Sequence, residues 1–122
     1  MSDYDRGLEI RRAVLGDEHV DRSLERATEL TFPFQELITR YAWGDVWSRP
    51  GLDRRTRSVV TMTALVALGR FDELELHIRG AMRNGLEPEE IAEVLLQCTI
   101  YCGVPAANSA FHAFERVFSD DA

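Results

Sequence analysis

Two titratable side chains lie four residues apart near the middle of the sequence, Glu73 and His77. Residues at this spacing lie over one another on one face of a helix. A carboxylate beside an imidazole fixes the tautomer of the ring and raises its basicity, which suits proton transfer near neutral pH. Because Leu74, Ile78 and Ala81 form the neighbouring apolar stripe, we expect the pair at the edge of that stripe. An ordinary surface ion pair is the alternative interpretation.

A cationic cluster precedes this pair, with Arg54, Arg55 and Arg57 in the first turn of a predicted helix. Arg54 and Arg57 share one face of that helix. Cations at a helix N-terminus are unfavourable against the macrodipole, so the cluster indicates either acidic neighbours or an anion-binding task. All 14 basic residues of the chain are arginines, whose planar fork suits bidentate carboxylate binding. Three acidic residues are candidates for the ion-pair explanation: Glu36, Asp45 and Asp53.

Aromatic and amide side chains could complete a binding site for a small molecule. Trp43 and Trp47 are four residues apart, with Tyr41 nearby. They could form a flat apolar wall for a small ring, or pack in the core or at a subunit interface. Asn108 lies among alanines after Pro105, where it could donate hydrogen bonds to a substrate carbonyl or cap a buried backbone group.

The two cysteines, Cys98 and Cys102, have the spacing C-x-x-x-C. A peroxidatic pair would favour C-x-x-C at a helix start, where the helix dipole lowers a thiol pKa. These residues lie near a predicted helix end, so we interpret them as buried free thiols. Neither a disulfide framework nor a metal site is indicated. His19 and His112 are interpreted as structural.

Composition limits the classes of partner. The net charge of −7 argues against nucleic acid and anionic membranes, because both require a basic surface. No apolar run approaches the roughly 20 residues that span a bilayer, and the polar, acidic N-terminus does not resemble a signal peptide. We therefore expect a single cytoplasmic domain covering residues 1–122.

The hydrophobic periodicity predicts an all-helical fold, since no strict alternation is long enough for a strand. Asp17 is the expected cap of the second helix. The fourth helix is apolar on almost every face, so we expect it to pack against other subunits as well as its own. Residues from about 119 to 122 are expected to be frayed. The predicted helices are 3–15, 18–28, 33–47, 54–68, 72–84, 88–101 and 105–119.

Three segments together resemble the γ-carboxymuconolactone (4-carboxymuconolactone) decarboxylase family, with a resemblance running from about Gly7 to Phe118. They are the stretches 39–58, 73–85 and 101–115. The resemblance implies a compact alkylhydroperoxidase D-like helical domain that forms a ring-like homo-oligomer, expected to be a hexamer. Thiol peroxidase relatives carry C-x-x-C followed by a histidine. Here Arg70 and Glu73 stand where the thiols would be and His77 is kept, which implies acid–base rather than redox chemistry.

The implied reaction is the loss of CO₂ from 4-carboxymuconolactone, a dicarboxylate lactone, to give 3-oxoadipate enol-lactone in the β-ketoadipate (protocatechuate) pathway. The substrate is its own electron sink, so no metal or organic cofactor is expected. In this interpretation His77 donates the proton and is oriented by Glu73. The substrate-binding residues are Arg54, Arg57, Trp43, Trp47 and Asn108.

Two other classes of function are alternatives. A thiol-dependent peroxidase or disulfide reductase of the same superfamily would use Cys98 and Cys102. A non-catalytic oligomeric helical module would leave the arginine, tryptophan and histidine residues without a role. Some relatives are fused to an enol-lactone hydrolase, and no such domain is expected here.

Overall fold

The computed structural model describes residues 1–119 and, over that range, contains helices and no strand. The predicted all-helical class is therefore confirmed. The chain divides into two compact units, unit 1 with residues 1–53 and unit 2 with residues 54–122. The elements in chain order are α1 (Asp3–Leu15), α2 (Asp17–Arg26), α3 (Phe32–Ile38), a π-helix (Thr39–Val46), α4 (Arg54–Leu68), α5 (Phe71–Arg83), α6 (Pro88–Cys102) and α7 (Val104–Ser119).

In unit 1, α1 crosses the π-helix at a point where each of the two helices has a glycine. A Cβ atom at Gly7 would clash with the carbonyl oxygen of Thr39, and one at Gly44 would clash with that of Asp3. Next to this crossing the buried Arg11 donates from Nη1 to Thr39 Oγ1 at 3.1 Å. Burial lowers the pKa of Arg11. The two glycines therefore allow the close approach that places this arginine in the interior.

The predicted cap of the second helix is wrong. Gly16, with φ of 89°, is the N-cap of α2, and no side chain caps this helix end. Asp17 is instead the first residue of the helix, where its Oδ1 accepts a hydrogen bond from Arg12 Nη1 at 3.1 Å. A glycine in this left-handed conformation reverses the chain between two helices without the Cβ strain of other residues.

The predicted third helix, 33–47, has a different geometry from the expected one. It begins as α3 and continues as a π-helix, whose i→i+5 hydrogen bonding is seen where Trp47 N–H donates to Ala42 O at 3.0 Å. The wider turn changes which residues share a face. Thr39, Trp43 and Gly44 are the buried residues. Most of the apolar positions that a regular α-helix would bury are exposed: Phe34, Leu37, Tyr41 and Val46.

In unit 2, α4 has the predicted bounds and packs against α5, α6 and α7. One face contributes Ser58, Met62 and Val66 to the interior, while Val60 and Leu68 on other faces are 55% and 73% exposed. One chain thus covers only part of this apolar helix, as its composition indicated. The core of unit 2 consists of Met62, Val66, Leu74, Ile78, Ala81, Leu86, Ile91, Leu95, Cys98, Ala110, Ala113 and Val117.

The remaining helix ends follow the predicted turn residues within one or two positions. Glu87 and Glu90 form a capping box at the start of α6, and Gly103 follows its end. Ser119, where the predicted frayed tail begins, is the last residue of α7, and the rest of that tail lies outside the described residues. Within residues 1–119, no helix combines the length and apolar character that crossing a membrane requires.

Candidate active site

The start of α5 carries an arginine–carboxylate pair one turn before the histidine. Arg70, the N-cap residue of α5, directs its guanidinium at Glu73, with Nη2 2.5 Å from Oε1 and Nε 3.4 Å from Oε2. Glu73 and His77 are both half-buried, and the Nδ1 atom of His77 is buried. The predicted helix face is therefore present, and Arg70 is an additional member of it.

The charges around Glu73 determine its protonation state. The hydrogen bond from Arg70 is the largest cause that lowers the pKa of Glu73, and His77 lowers it further. The same hydrogen bond raises the pKa of Arg70. Glu73 is therefore a carboxylate at neutral pH, and it can stabilise a positive charge on a nearby imidazole but cannot act as an acid.

Glu73 does form an ion pair, as the alternative interpretation of the sequence suggested. The partner in the structure is Arg70, whereas that interpretation paired Glu73 with His77. The family resemblance aligns Arg70 and Glu73 with the peroxidase thiols but does not predict the contact between them. The i,i+3 spacing of the two residues is the signal that could have revealed it.

The three arginines of α4 separate into different environments. Arg54 is exposed, and within the described part of unit 2 its guanidinium takes part in no hydrogen bond or ion pair. Arg57 is half-buried, with its Nε atom buried. Arg55 instead donates to the carbonyl oxygen of Gly85 and to Glu90 Oε2. Arg55 is therefore bound to the turn after α5, whereas Arg54 and Arg57 occupy the face that was predicted to bind an anion.

Asn84 is a residue whose contacts sequence analysis missed. Its Nδ2 atom donates to the carbonyl oxygen of Arg54 at 3.3 Å and to the hydroxyl of the fully buried Ser58 at 2.8 Å. The pair Asn84-Gly85 was predicted only as a helix end. An amide at a helix C-terminus carries no sequence signal for a partner some 30 residues earlier.

The two indoles belong to unit 1, and each unit is described by itself. Trp43 and Trp47 are stacked, with ring centroids 4.8 Å apart and planes 26° from parallel. Trp43 is 6% exposed and Trp47 is half-buried. The burial of Trp43 fits the core interpretation, while the more open Trp47 fits either interpretation.

Two predicted polar residues of α7 face outward, because Asn108 and His112 are both exposed. His19 in α2 is half-buried, with Nε2 3.5 Å from Ser23 Oγ. Within residues 1–119 no cluster of three potential metal ligands occurs.

The two cysteines line a cavity of about 200 Å³ in unit 2. Both are free thiols, with Cys98 buried and Cys102 half-buried. Burial is the largest cause that raises the pKa of Cys98, and its Sγ atom lies 4.0 Å from Thr63 Oγ1. A thiol with a raised pKa is a poor nucleophile at neutral pH, which argues against the peroxidase alternative.

Comparison with known proteins identifies the family. The model of the carboxymuconolactone decarboxylase family matches residues 33–116. The chain is 52% identical over 117 residues to 4-carboxymuconolactone decarboxylase of Acinetobacter baylyi, covering 96% of this chain and 87% of that protein. It is 44% identical over 117 residues to nitrosuccinic acid decarboxylase of Metarhizium robertsii, covering 96% and 82%. A 4-carboxymuconolactone decarboxylase of Pseudomonas putida is 60% identical over 42 residues, 34% of this chain and 88% of that sequence. The chain therefore belongs to the carboxymuconolactone decarboxylase family.

Proposed function

We propose that this protein is an enzyme that removes CO₂ from 4-carboxymuconolactone and produces 3-oxoadipate enol-lactone. The observation that carries the proposal is the 52% identity, over 96% of the chain, to a protein named for this activity. The ionised Glu73 on the same helix face as His77 gives it a chemical basis.

The substrate sets the requirements for catalysis. When the carboxylate on the γ carbon leaves as CO₂, the electron pair of the broken C–C bond moves through the ring double bond to the lactone carbonyl. The resulting dienolate then takes one proton at the α carbon. A protein must therefore bind the spectator carboxylate, stabilise the developing enolate oxygen and deliver this proton.

Each requirement has a candidate side chain. Arg54 and Arg57 bind the spectator carboxylate through their planar forks. His77 delivers the proton, and the carboxylate of Glu73 orients the ring and favours its cationic form before transfer. Asn108 donates a hydrogen bond to the lactone oxygen. Trp43 and Trp47 form the apolar wall, where the departing carboxylate loses its charge at lower cost than in water.

The proposed assembly is a ring-like homohexamer in the cytoplasm, built from a single domain of residues 1–122. Its support is the apolar surface that one chain leaves exposed on unit 2. This surface includes Val60, Leu68, Leu96, Ile100, Tyr101 and Val104. Light scattering of the purified protein tests the assembly, and a monomer at micromolar concentration would contradict it.

The activity is tested by the ultraviolet loss of 4-carboxymuconolactone generated in situ, with the chain dialysed against a chelator beforehand. We expect full activity after this treatment, because the substrate delocalises its own charge. An inactive wild-type protein would overturn the proposed function. Activity that returned only with an added metal or organic cofactor would overturn the mechanism.

A second substrate is favoured by the relative named nitrosuccinic acid decarboxylase, which is 44% identical over 96% of this chain. Nitrosuccinate is also a dicarboxylate with an electron acceptor beside a carboxylate. Loss of that carboxylate as CO₂ would move the electron pair into the nitro group, and protonation of the carbon would give 3-nitropropanoate. Assay of this product with the wild-type protein, with the lactone as positive control, tests the second activity.

A further inference from the structure

The turn that follows α5 holds the first turn of α4 through the side chain of Asn84. This residue is the C-cap of α5, and its backbone N–H donates to the carbonyl of Gly80 at 2.9 Å. Its Nδ2 atom reaches both ends of the first turn of α4, the carbonyl of Arg54 at 3.3 Å and the hydroxyl of Ser58 at 2.8 Å. One side chain therefore joins the helix that carries His77 to the turn that carries Arg54 and Arg57.

Arg55 forms a second link between the same elements. It donates to the carbonyl of Gly85 and, at 2.5 Å, to Glu90 Oε2. The other oxygen of Glu90 accepts the backbone N–H of Glu87 at 2.8 Å and so caps α6. Gly85 has φ of 99°, and a Cβ there would approach the Arg55 side chain to 3.6 Å. The side chain of Arg55 therefore lies beside this turn.

The first turn of α4 is stabilised by these two links. The Nδ2 group of Asn84 bonds the two ends of the turn, and Glu90 places a negative charge beside Arg55. Positive charges there oppose the macrodipole, and this turn carries three arginines. Without contacts from elsewhere, the turn would hold the guanidinium groups in many orientations. A carboxylate bound by mobile cations loses the fixed geometry that favours reaction.

We propose that Asn84 and Arg55, the latter through Glu90, are positioning residues that hold Arg54 and Arg57 in a fixed arrangement relative to His77. The inference rests on the proposed function, because it assigns the arginines to substrate binding and His77 to proton transfer. Asn84 and Arg55 do not themselves touch substrate. They act through the α4 turn, so their loss weakens carboxylate binding while the proton transfer group remains intact.

The test compares Asn84→Ala with Glu89→Gln, a matched control at an exposed residue in the first turn of α6. Loss of two hydrogen bonds predicts a rise in KM of about fivefold or more for Asn84→Ala, with the pH profile of kcat unchanged. The control should retain the wild-type KM. Hydrogen exchange of the amides in residues 54–58 should accelerate in Asn84→Ala alone.

A double-mutant cycle separates positioning from a general loss of stability. If Asn84 acts through the arginines, Asn84→Ala should raise KM by a smaller factor when Arg57→Lys is already present. Equal factors in both backgrounds, or an unchanged KM, would overturn the inference. Arg55→Lys is the second variant if Asn84→Ala fails to fold, and the same rise in KM is expected because an ammonium group cannot form both contacts in this geometry.

The two proposals fail in different ways. A wild-type protein with no activity on the lactone would overturn the proposed function and this inference with it. An active wild-type protein whose Asn84→Ala and Arg55→Lys variants match Glu89→Gln in KM would overturn this inference alone.

Discussion

Two helices of unit 2 each carry a pair of titratable residues four positions apart, and the two pairs have opposite environments. On α5, Glu73 lies beside Arg70, which lowers the pKa of the carboxyl group. On α6, Cys98 is buried beside the half-buried Cys102, and burial raises its pKa. The same spacing therefore accompanies a carboxyl group whose pKa is lowered on one helix and a thiol whose pKa is raised on the other.

The difference shows what spacing alone determines. An i,i+4 separation places two side chains on one face, but solvent, burial and neighbouring charges decide whether they ionise. The α5 pair keeps a charged partner and partial access to solvent, which proton transfer requires. The α6 pair lines a small cavity, and burial favours the neutral thiol of Cys98. Acid–base chemistry is therefore expected on α5, and little chemistry is expected on α6.

The largest expected effect is that of removing the imidazole of the α5 pair. His77→Ala should lower kcat by roughly 10²–10⁴, the usual contribution of a positioned acid–base group. Steady-state kinetics on the lactone measure the change, with circular dichroism to establish that the variant is folded. A folded variant with near-normal kcat would remove His77 from the mechanism, and His112 or a carboxylic acid would be the next proton donor to test.

His77→Gln is the matched control for this prediction, because its amide can hydrogen-bond but cannot titrate. It should remain impaired, and the alkaline limb of the wild-type pH profile, where the donor imidazolium loses its proton, should disappear. Recovery of activity by glutamine would indicate that the ring only binds substrate.

The helices themselves were largely predictable, and the exceptions have physical causes. The bounds of α4 follow from a Pro50-Gly51 break and a long apolar run, and they match the structure. The stretch 39–46 did not reveal its π-helical form, because a hydrophobic pattern with a period of 3.6 residues cannot indicate i→i+5 bonding.

The site was predictable where its residues are neighbours along one helix, as for Glu73 and His77. It was not predictable where contacts join distant segments. Arg55 and Arg57 look alike in the sequence, yet Arg55 binds Glu90, 35 residues away. Asn84 is a similar case, since only the packing of α5 against α4 brings its amide to Arg54 and Ser58.

A smaller effect is expected at the cation that is proposed to bind substrate. Arg57→Lys keeps the positive charge but replaces a bidentate fork with a point charge. Losing one charge-assisted hydrogen bond predicts a rise in KM of roughly tenfold, with little change in kcat. A change mainly in kcat would place Arg57 in the chemical step. It would contradict the assignment of substrate binding to α4 and of proton transfer to α5.

The carboxylate of the α5 pair should matter less than its imidazole. Glu73 is 43% exposed at its side chain, and solvent weakens its effect on His77, so Glu73→Gln should lower kcat only about two- to fivefold.

Arg70→Gln should return the pKa of Glu73 toward its ordinary value. Because the folded pKa is depressed, the stability from this pair is present above the unfolded pKa and is lost as pH falls through the folded pKa. Unfolding of wild type and Arg70→Gln in urea at neutral and acidic pH measures that loss, which should be smaller in the variant.

The smallest effect is expected at the thiols of the α6 pair, and a large effect there would directly contradict the difference between the two pairs. A buried thiol with a raised pKa supplies little thiolate at neutral pH, so the Cys98→Ser/Cys102→Ser protein should decarboxylate the lactone at a rate near that of wild type. Some loss of stability is expected, because a hydroxyl replaces a sulfur that packs in the core of unit 2. Alkylation of the native protein should be slower at Cys98 than at Cys102, as mass spectrometry of the labelled peptides would measure. A double variant that folds but is inactive would show that the α6 thiols are needed for activity. The thiol-dependent alternative would then have to be considered again.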